Sequence, residues 1–184
     1  ALVWEVATGR QLIDYRGHSG GIGSVAWSPD GNYIASASFD TTVQIWEAAT
    51  GRPVFTYTGH TNPVYTVAWS PDGQHIASGG KDHTVHVWPV TLFESPGQPQ
   101  KNPVIYSGHA ASVQAVAWSP NNSTIASAAD NVQLWHALTG QHIFTYTKHS
   151  TSFNLEVQAV AWSPNSRYIA SSGMEGTVQV WNAK

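Results

Sequence analysis

Short apolar runs, each followed by turn-forming residues, recur along the whole chain. The run Ser24–Trp27 stops at Ser-Pro-Asp-Gly, where proline fixes φ and glycine closes the turn. Tyr33–Ser38 alternates larger residues with small or polar ones, and Thr42–Trp46 alternates with a period of two residues. Pro53–Thr58 is rich in β-branched and aromatic residues. The pattern predicts four short β-strands in succession, and no amphipathic helical pattern of useful length occurs in the sequence.

The same four-strand pattern repeats along the chain. Ala-Trp-Ser-Pro occurs four times, Ile-Ala-Ser follows each copy, and a Val-x-Ile/Val/Leu-Trp segment then ends at Trp46, Trp88, Trp135 or Trp181. A fifth copy of that ending closes at Trp4, so all nine tryptophans fall in two repeated slots. The period of about 42 to 47 residues suits four short strands with turns. A β-solenoid is the alternative, but four strands and one bulky aromatic residue per packing layer favour a β-propeller.

The repeated motifs resemble those of a known protein family. The order Gly-His, Val-x-x-Val-x-Trp-Ser-Pro-Asp-Gly, Ile-Ala-Ser and Asp-x-Thr-Val-x-Ile-Trp is similar to the WD-repeat β-propeller family over essentially the whole chain. The residue after each terminal tryptophan is Glu5, Glu47, Pro89, His136 or Asn182, never the aspartate of the name-giving dipeptide, which varies widely in the family. The near-identical copies resemble bacterial tandem arrays. The resemblance implies an all-β fold class, with about four WD repeats that each form a β-propeller blade of four antiparallel strands.

The repeats divide residues 1–184 into one WD-repeat propeller domain. We expect a partial repeat at 1–16, followed by four repeats at 17–58, 59–106, 107–147 and 148–184. The partial repeat supplies a third and a fourth strand, whereas the last repeat lacks its fourth strand. Three arrangements follow: part of a larger propeller, half of an eight-bladed ring made by two chains, or a tight four-bladed ring. We expect a partial propeller or half of an eight-bladed ring, because four blades is the lower bound for a propeller.

The resemblance also implies a buried hydrogen-bond chain in every repeat, from tryptophan through serine and histidine to an acid in the second turn. A buried histidine and acid would cost several kcal/mol unless they were bonded to each other. Ser38 is an alternative to Ser36, a shorter turn displaces Asp130, and Glu175 stands where aspartate is expected. We expect repeats one and two to be more rigid than repeat three. The four structural tetrads are His18, Ser36, Asp40 and Trp46; His60, Ser78, Asp82 and Trp88; His109, Ser127, Asp130 and Trp135; and His149, Ser171, Glu175 and Trp181.

Partner contacts in the family cluster on the face that carries the second turns and the starts of the first strands. In this sequence, that face corresponds to the residues just before the turn acid and to those early in the first strand. Gly23 in repeat one and Ala129 in repeat three occupy such positions but are poor candidates for partner binding. This polar and aromatic mixture suits a protein partner better than nucleic acid. The candidate partner-binding residues are Phe39, Tyr65, Lys81, Gln114, Gln158 and Met174.

Two insertions distinguish the repeats from one another. Pro89–Pro103 is proline-rich and is predicted to form an exposed loop, and Ser150–Glu156 adds Phe153 and Leu155 before a first strand. Variable loops on a rigid scaffold often carry binding. The alternative for Pro89–Pro103 is a neutral insertion, because lengthening a loop costs little free energy. The alternative for Ser150–Glu156 is that it covers the edge of a strand.

Composition excludes several classes of function. Charged residues make up 10%, the net charge is −3, and eight Lys and Arg provide no polycation for nucleic acid. No apolar run approaches membrane-spanning length, and no signal peptide is recognisable, so we expect a cytoplasmic protein without a membrane partner. The cysteine count of zero excludes a thiolate metal site and a cysteine nucleophile. His83 and His86 lie three apart on a predicted strand and point to opposite faces. We therefore expect no metal and no cofactor.

The function that fits these features is a non-enzymatic protein–protein interaction scaffold. Serine, histidine and an acid recur in every repeat, whereas a hydrolytic site must be geometrically singular. The alternative is a self-assembling structural repeat module that closes a ring by homodimerisation, and an enzyme on a propeller face is the third hypothesis. We expect protein partners, with a homo-oligomer as a further option.

Overall fold

The computed structural model describes residues 1–90, 102–149 and 156–183. Within those residues the chain is all-β with almost no helix, which confirms the predicted fold class. The predictions for Pro89–Pro103 and Ser150–Glu156 fall largely outside the described residues. The strands of the described part are β1 (Leu2–Trp4), β2 (Gln11–Asp14), β3 (Ile22–Trp27), β4 (Tyr33–Ser38), β5 (Val43–Glu47), β6 (Pro53–Tyr57), β7 (Val64–Trp69), β8 (His75–Gly80), β9 (Val85–Pro89), β10 (Val104–Tyr106), β11 (Ala115–Trp118), β12 (Thr124–Ala128), β13 (Val132–His136), β14 (His142–Tyr146), β15 (Val157–Trp162), β16 (Tyr168–Gly173) and β17 (Val178–Asn182).

These strands form four blades and a separate N-terminal pair. Blade one (β3–β6), blade two (β7–β10) and blade three (β11–β14) each contain four antiparallel strands that lie side by side in chain order. Blade four contains the three strands β15–β17, and β1 pairs with β2. The predicted four-stranded antiparallel units are therefore seen in the described part of the chain.

The Ser-Pro-Asp-Gly motif builds the tight reversal between the first two strands of a blade. Ser28 Oγ donates to Asp30 Oδ1 at 2.5 Å and accepts from the Tyr33 amide at 2.9 Å. Gly31 lies at φ 73°, in the left-handed region where a side chain would be strained. Ser70 makes the same two types of bond in blade two. The repeated motif therefore produces the same hairpin in successive blades.

The core lies between neighbouring blades, because each strand alternates its side chains between two faces. We call the face that packs on the preceding blade the start face, and the face that packs on the following blade the end face. At the first junction, Val43 and Ile45 on the end face of blade one pack against Trp69 and Trp88 on the start face of blade two. The next two junctions repeat this arrangement at the equivalent positions.

The arc of blades is open at both ends. Trp27 and Val25 lie on the start face of blade one and are exposed, and Val178 and Val180 lie exposed on the end face of blade four. Among the described residues, no strand pairing joins blade four to blade one. The four-bladed ring, which was one of the three predicted arrangements, is therefore not the one seen, and the chain forms a partial propeller.

Candidate functional site: the turn face

The second turns of the blades and the starts of their first strands lie on one side of the arc, which we call the turn face. In blade one, His18 links this turn to the sheet. Its Nδ1 lies 2.9 Å from Asp40 Oδ2 and its Nε2 lies 2.8 Å from Ser36 Oγ. Trp46 Nε1 donates to the same hydroxyl at 3.2 Å. Ser38 instead donates to a backbone carbonyl, so the hydroxyl in the chain of bonds is that of Ser36.

The other three blades bring their histidine and serine together in the same way. The Nε2 to Oγ distances are 2.9 Å in blade two, 2.7 Å in blade three and 2.7 Å in blade four. The shortened turn of blade three still places Asp130 3.3 Å from His109 Nδ1, and Glu175 reaches His149 in blade four. The serines and histidines of these sets are His60 and Ser78, His109 and Ser127, and His149 and Ser171.

Blade two differs at its tryptophan. Trp88 Nε1 is buried and has no hydrogen-bond acceptor among the described residues, whereas Trp135 and Trp181 donate to their serines at 3.3 and 3.1 Å. The Trp88 ring is held by stacking on Tyr57, with the ring centroids 4.7 Å apart. The expectation of a complete four-member chain in blade two is therefore not met at its tryptophan.

Hydrogen bonds keep the turn acids of blades one, two and four ionised. Burial acts to raise the pKa of Asp40, but bonds from Thr42, His18 and Ser19 outweigh this and lower that pKa to about 2. The pKa of Asp82 is lowered by the equivalent bonds in blade two. Bonds from Thr177 and from the blade-four histidine lower the pKa of Glu175 to about 2. Each charged carboxylate can therefore accept several bonds that fasten the turn to the blade.

Blade two carries a histidine, His86, at a position where the other three blades carry a glutamine. Blades one, three and four carry glutamine at this position (Gln44, Gln133 and Gln179), and each glutamine Oε1 accepts from the tyrosine of the preceding fourth strand. In blade two, Tyr57 O–H bonds to His86 Nδ1 at 2.8 Å. A comparison of the repeats at this position would have singled out His86, because the other three repeats have glutamine there. In the sequence analysis His86 was compared only with His83, and this difference was not used.

The protonation state of His86 follows from its neighbours. Thr84 O–H donates to Asp82 Oδ1, so Thr84 Oγ1 accepts from His86 Nε2–H at 3.0 Å, and His86 Nδ1 is left to accept from Tyr57. Burial is the main cause that lowers the pKa of His86 to about 4, and His60 adds to it. Burial likewise raises the pKa of Tyr57 to about 12. Neutral His86 therefore reproduces the acceptor and donor of the glutamine that it replaces.

His60, Asp82 and His86 also form a group of the kind that can hold a metal ion. In the part of the chain that the structure describes, their ligand atoms lie within 4.8 Å of one another. The two imidazole rings are stacked, with centroids 4.0 Å apart and planes 21° apart, so their in-plane lone pairs run side by side and do not converge. The ligand atoms already bond to one another or to Thr84. The arrangement fits a hydrogen-bonded network better than an ion site.

Three of the candidate partner-binding residues meet in one open concavity on the turn face. Phe39, Tyr65 and Gln114 line a depression of about 390 Å³ together with Gly23. The Phe39 and Tyr65 rings meet edge to face, with centroids 5.6 Å apart. A Cβ at Gly23 would lie 2.9 Å from the Tyr65 carbonyl oxygen, so glycine is what allows blades one and two to approach here. Gly23, a poor candidate from sequence, is therefore part of the depression.

The remaining candidates lie elsewhere on the turn face. The backbone amides of Phe39, Lys81 and Met174 donate to carbonyls just before their first strands, so the three side chains occupy equivalent positions beside successive turns. Lys81, Gln158 and Met174 are exposed but do not line the depression. Gln114 Nε2 also donates to Glu156 Oε2 at 2.5 Å, a contact between blades three and four that sequence reasoning did not predict.

The blades define a class of repeat protein in which antiparallel four-stranded sheets pack face to face. The family model described as WD domain, G-beta repeat matches residues 9–47, 51–89, 100–135 and 140–182. The chain therefore belongs to the WD-repeat family, as its motifs predicted. No curated protein sequence matches it. No helix in the described residues has the length and apolar character needed to cross a membrane.

Proposed function

We propose that the chain is a non-enzymatic protein–protein interaction scaffold that binds its partner at the depression formed by Gly23, Phe39, Tyr65 and Gln114. The observation that carries the proposal is the pair of aromatic rings at this opening, where Phe39 is half exposed and its ring meets that of Tyr65. Aromatic side chains supply most of the binding energy in many protein interfaces. Gln114 adds a polar group at the rim. A protein segment that inserts an apolar side chain suits this chemistry.

The burial of the serines supports a role without catalysis. Ser36, Ser78 and Ser127 are completely buried, and Ser171 is nearly so. Ser36, Ser127 and Ser171 also accept a bond from a buried tryptophan. A nucleophile must reach its substrate, and a hydroxyl enclosed in this way cannot. The repeated Ser-His-acid sets therefore serve as structural links in this proposal.

Selection of peptides tests the proposed site directly. Peptides from a random library would be selected on the wild-type chain, and their affinities measured by calorimetry against Phe39→Ala, Tyr65→Ala and a control, Ile105→Ala. Ile105 is exposed to a similar degree on the outer strand β10 and does not line the depression. We expect the first two variants to weaken binding at least about tenfold, which corresponds to about 1.4 kcal/mol. Equal affinity for all four proteins would contradict the proposal.

A second candidate function is a self-assembling structural module that closes a ring by homodimerisation. The observation that favours it is the pair of exposed apolar faces at the two ends of the arc, since large exposed apolar surfaces mark interaction sites. The mass in solution tests it. A mass that stays at 19.8 kDa as the concentration rises would exclude self-assembly and would leave the turn-face proposal intact.

A further inference from the structure

We propose that the start face of blade one in one copy of the chain docks on the end face of blade four in a second copy, and that two such seams close an eight-bladed ring. The inference rests on the second candidate function, self-assembly, and specifies the surfaces and the strands that carry it. The occupant of each exposed face is thus a second copy of this chain.

The end face of blade four is the surface that the other blades bury. Val178 is 73% exposed, while the residues at its position in blades one to three, among them Val43 and Val132, are completely buried. Val180 is 69% exposed, while its equivalent Ile45 is completely buried. Blade four therefore presents the apolar surface of an internal junction without the blade that would cover it.

The start face of blade one is the complementary half of the same junction. Trp27 is 54% exposed, whereas its equivalents Trp69 and Trp118 are 9% and 8% exposed. An apolar cavity of about 710 Å³ opens beside Trp27, and its blade-one side is lined by Ile22, Val25 and Ile34. The chain packs these two kinds of face together three times within itself. A fourth junction between copies needs no new type of contact.

Two of the three internal junctions also specify a hydrogen bond for the seam, whereas at the first junction Trp69 Nε1 is buried without an acceptor among the described residues. Trp118 Nε1 donates to the Ala68 carbonyl of the preceding blade at 3.3 Å, and Trp162 Nε1 donates to the Ala117 carbonyl at 3.2 Å. By the same register, Trp27 Nε1 of one copy donates to the carbonyl of Ala161 in the other. Trp27 thus contributes both apolar area and a directional contact to the seam.

The docked blade four would occupy the place that β1 now holds. Val3 of β1 pairs with Ile13 of β2, as the third and fourth strands of a blade pair. The incoming β17 is also a third strand, so either β1 or β17 must leave. β17 stays, because Trp181 is buried and bonded to Ser171, whereas β1 has three residues and two of them are exposed. β2 then supplies the fourth strand that blade four lacks, and Val180 replaces Val3 opposite Ile13.

Two copies are the number that closes the ring. In the described part of the 184-residue chain one start face and one end face are exposed, so two copies of it form two identical seams that cover both faces. The resulting eight blades lie within the range of about four to eight blades that propellers adopt, whereas three chains would exceed it. The assembly is therefore a closed dimer and not a growing filament.

Sedimentation equilibrium on the 184-residue chain tests the seam. We expect twice the 19.8 kDa chain mass for the wild type and for the control Ile105→Arg, and a single-chain mass for Trp27→Arg and for Val180→Arg. All three substituted side chains are exposed in the single chain, so folding is preserved, which circular dichroism checks. A monomeric wild type would overturn the proposal and assign the faces to another occupant, such as further repeats. A dimer that both variants preserve would overturn this seam but not self-assembly.

Mixing the two variants tests whether the seam joins unlike faces. Trp27→Arg retains an intact end face, and Val180→Arg retains an intact start face. An equimolar mixture therefore forms a dimer with one intact seam, which dissociates more readily than the wild type. A mixture that stays monomeric would overturn the proposal, and a dimer formed by either variant alone would show that like faces meet.

Cross-linking tests the exchange of β1 for β17. The chain has no cysteine, so Ile13→Cys and Val180→Cys, placed in one chain, provide the only thiols. A short thiol-reactive cross-linker should yield covalent dimers from this double variant, and from neither single variant. Addition of Trp27→Arg should abolish the product. Absence of cross-linked dimer in a protein that sediments as a dimer would overturn the exchange.

Discussion

His86 makes the stability of blade two depend on pH in a way that glutamine would not. The substitution His86→Gln restores the residue that occupies the equivalent position in the other three blades, and its amide can accept from Tyr57 as Gln44 accepts from Tyr15. At neutral pH, where His86 is uncharged, we expect the two proteins to have similar free energies of unfolding. The difference should emerge on acidification.

The magnitude follows from the pKa of His86, which is about 4 in the folded chain against 6.5 for an ordinary histidine. Between these values the unfolded chain binds more protons than the folded chain, so the free energy of unfolding falls as the pH falls. One pKa unit corresponds to about 1.4 kcal/mol, so His86 alone removes about 2 kcal/mol by pH 5 and about 3 kcal/mol by pH 4. The stability contribution is fully present above pH 6.5.

Urea unfolding at pH 7.5 and pH 5, at one fixed protein concentration, measures the effect. The wild type should lose about 2 kcal/mol more than His86→Gln between the two pH values. The burial-lowered pKa of His109 contributes equally to both proteins and cancels in the comparison. His136→Gln, at an exposed position on β13, is the matched control and should behave as the wild type does. Parallel pH profiles for the wild type and His86→Gln would refute the reasoning.

Further predictions concern the structural tetrads. Ser36→Ala leaves His18 and Trp46 without their shared hydrogen-bond partner and should lower the free energy of unfolding, measured with urea, by about 2 kcal/mol. The control Ser19→Ala, at an exposed position, should leave that free energy almost unchanged. Ser78→Ala should cost less than Ser36→Ala, because the tryptophan of blade two does not donate to Ser78; an equal cost would contradict this reading. Amide hydrogen exchange read by mass spectrometry should be faster in blade three than in blades one and two, because the Asp130 side chain is 34% exposed and its bond to His109 is long. If blade three exchanged slowest, this prediction would be wrong.

Most of the fold could be predicted from local patterns in the sequence. The period of two in Thr42–Trp46 and the Ser-Pro-Asp-Gly turn specify a strand and a hairpin through adjacent residues alone, and the structure places β5 within one residue of that prediction. The pairing of His18 with Ser36 joins the segment before β3 to β4, and it was predicted only because the resemblance to the WD-repeat family implied it.

Contacts between different repeats were harder to predict. The bond from Tyr57 to His86 joins the fourth strand of one blade to the third strand of the next, so it depends on how the blades pack. The role of Gly23 also depends on packing, because it arises from the approach of Tyr65 in the neighbouring blade. The sequence motif likewise contains nothing that separates exposed Trp27 from buried Trp69, since only the presence of a preceding blade distinguishes them.

The central claim is that a single chain forms an open arc, in which Trp27 and Val25 on the start face of blade one have no preceding first and second strands to cover them. Oxidative footprinting with hydroxyl radicals, read for each tryptophan by mass spectrometry, tests it on the monomeric variant Val180→Arg. Trp27 should be oxidised several times faster than Trp69 and Trp118, in keeping with its greater exposure. Equal protection of the three tryptophans in a protein that sediments as one chain would show that the arc closes on itself, and would contradict the account.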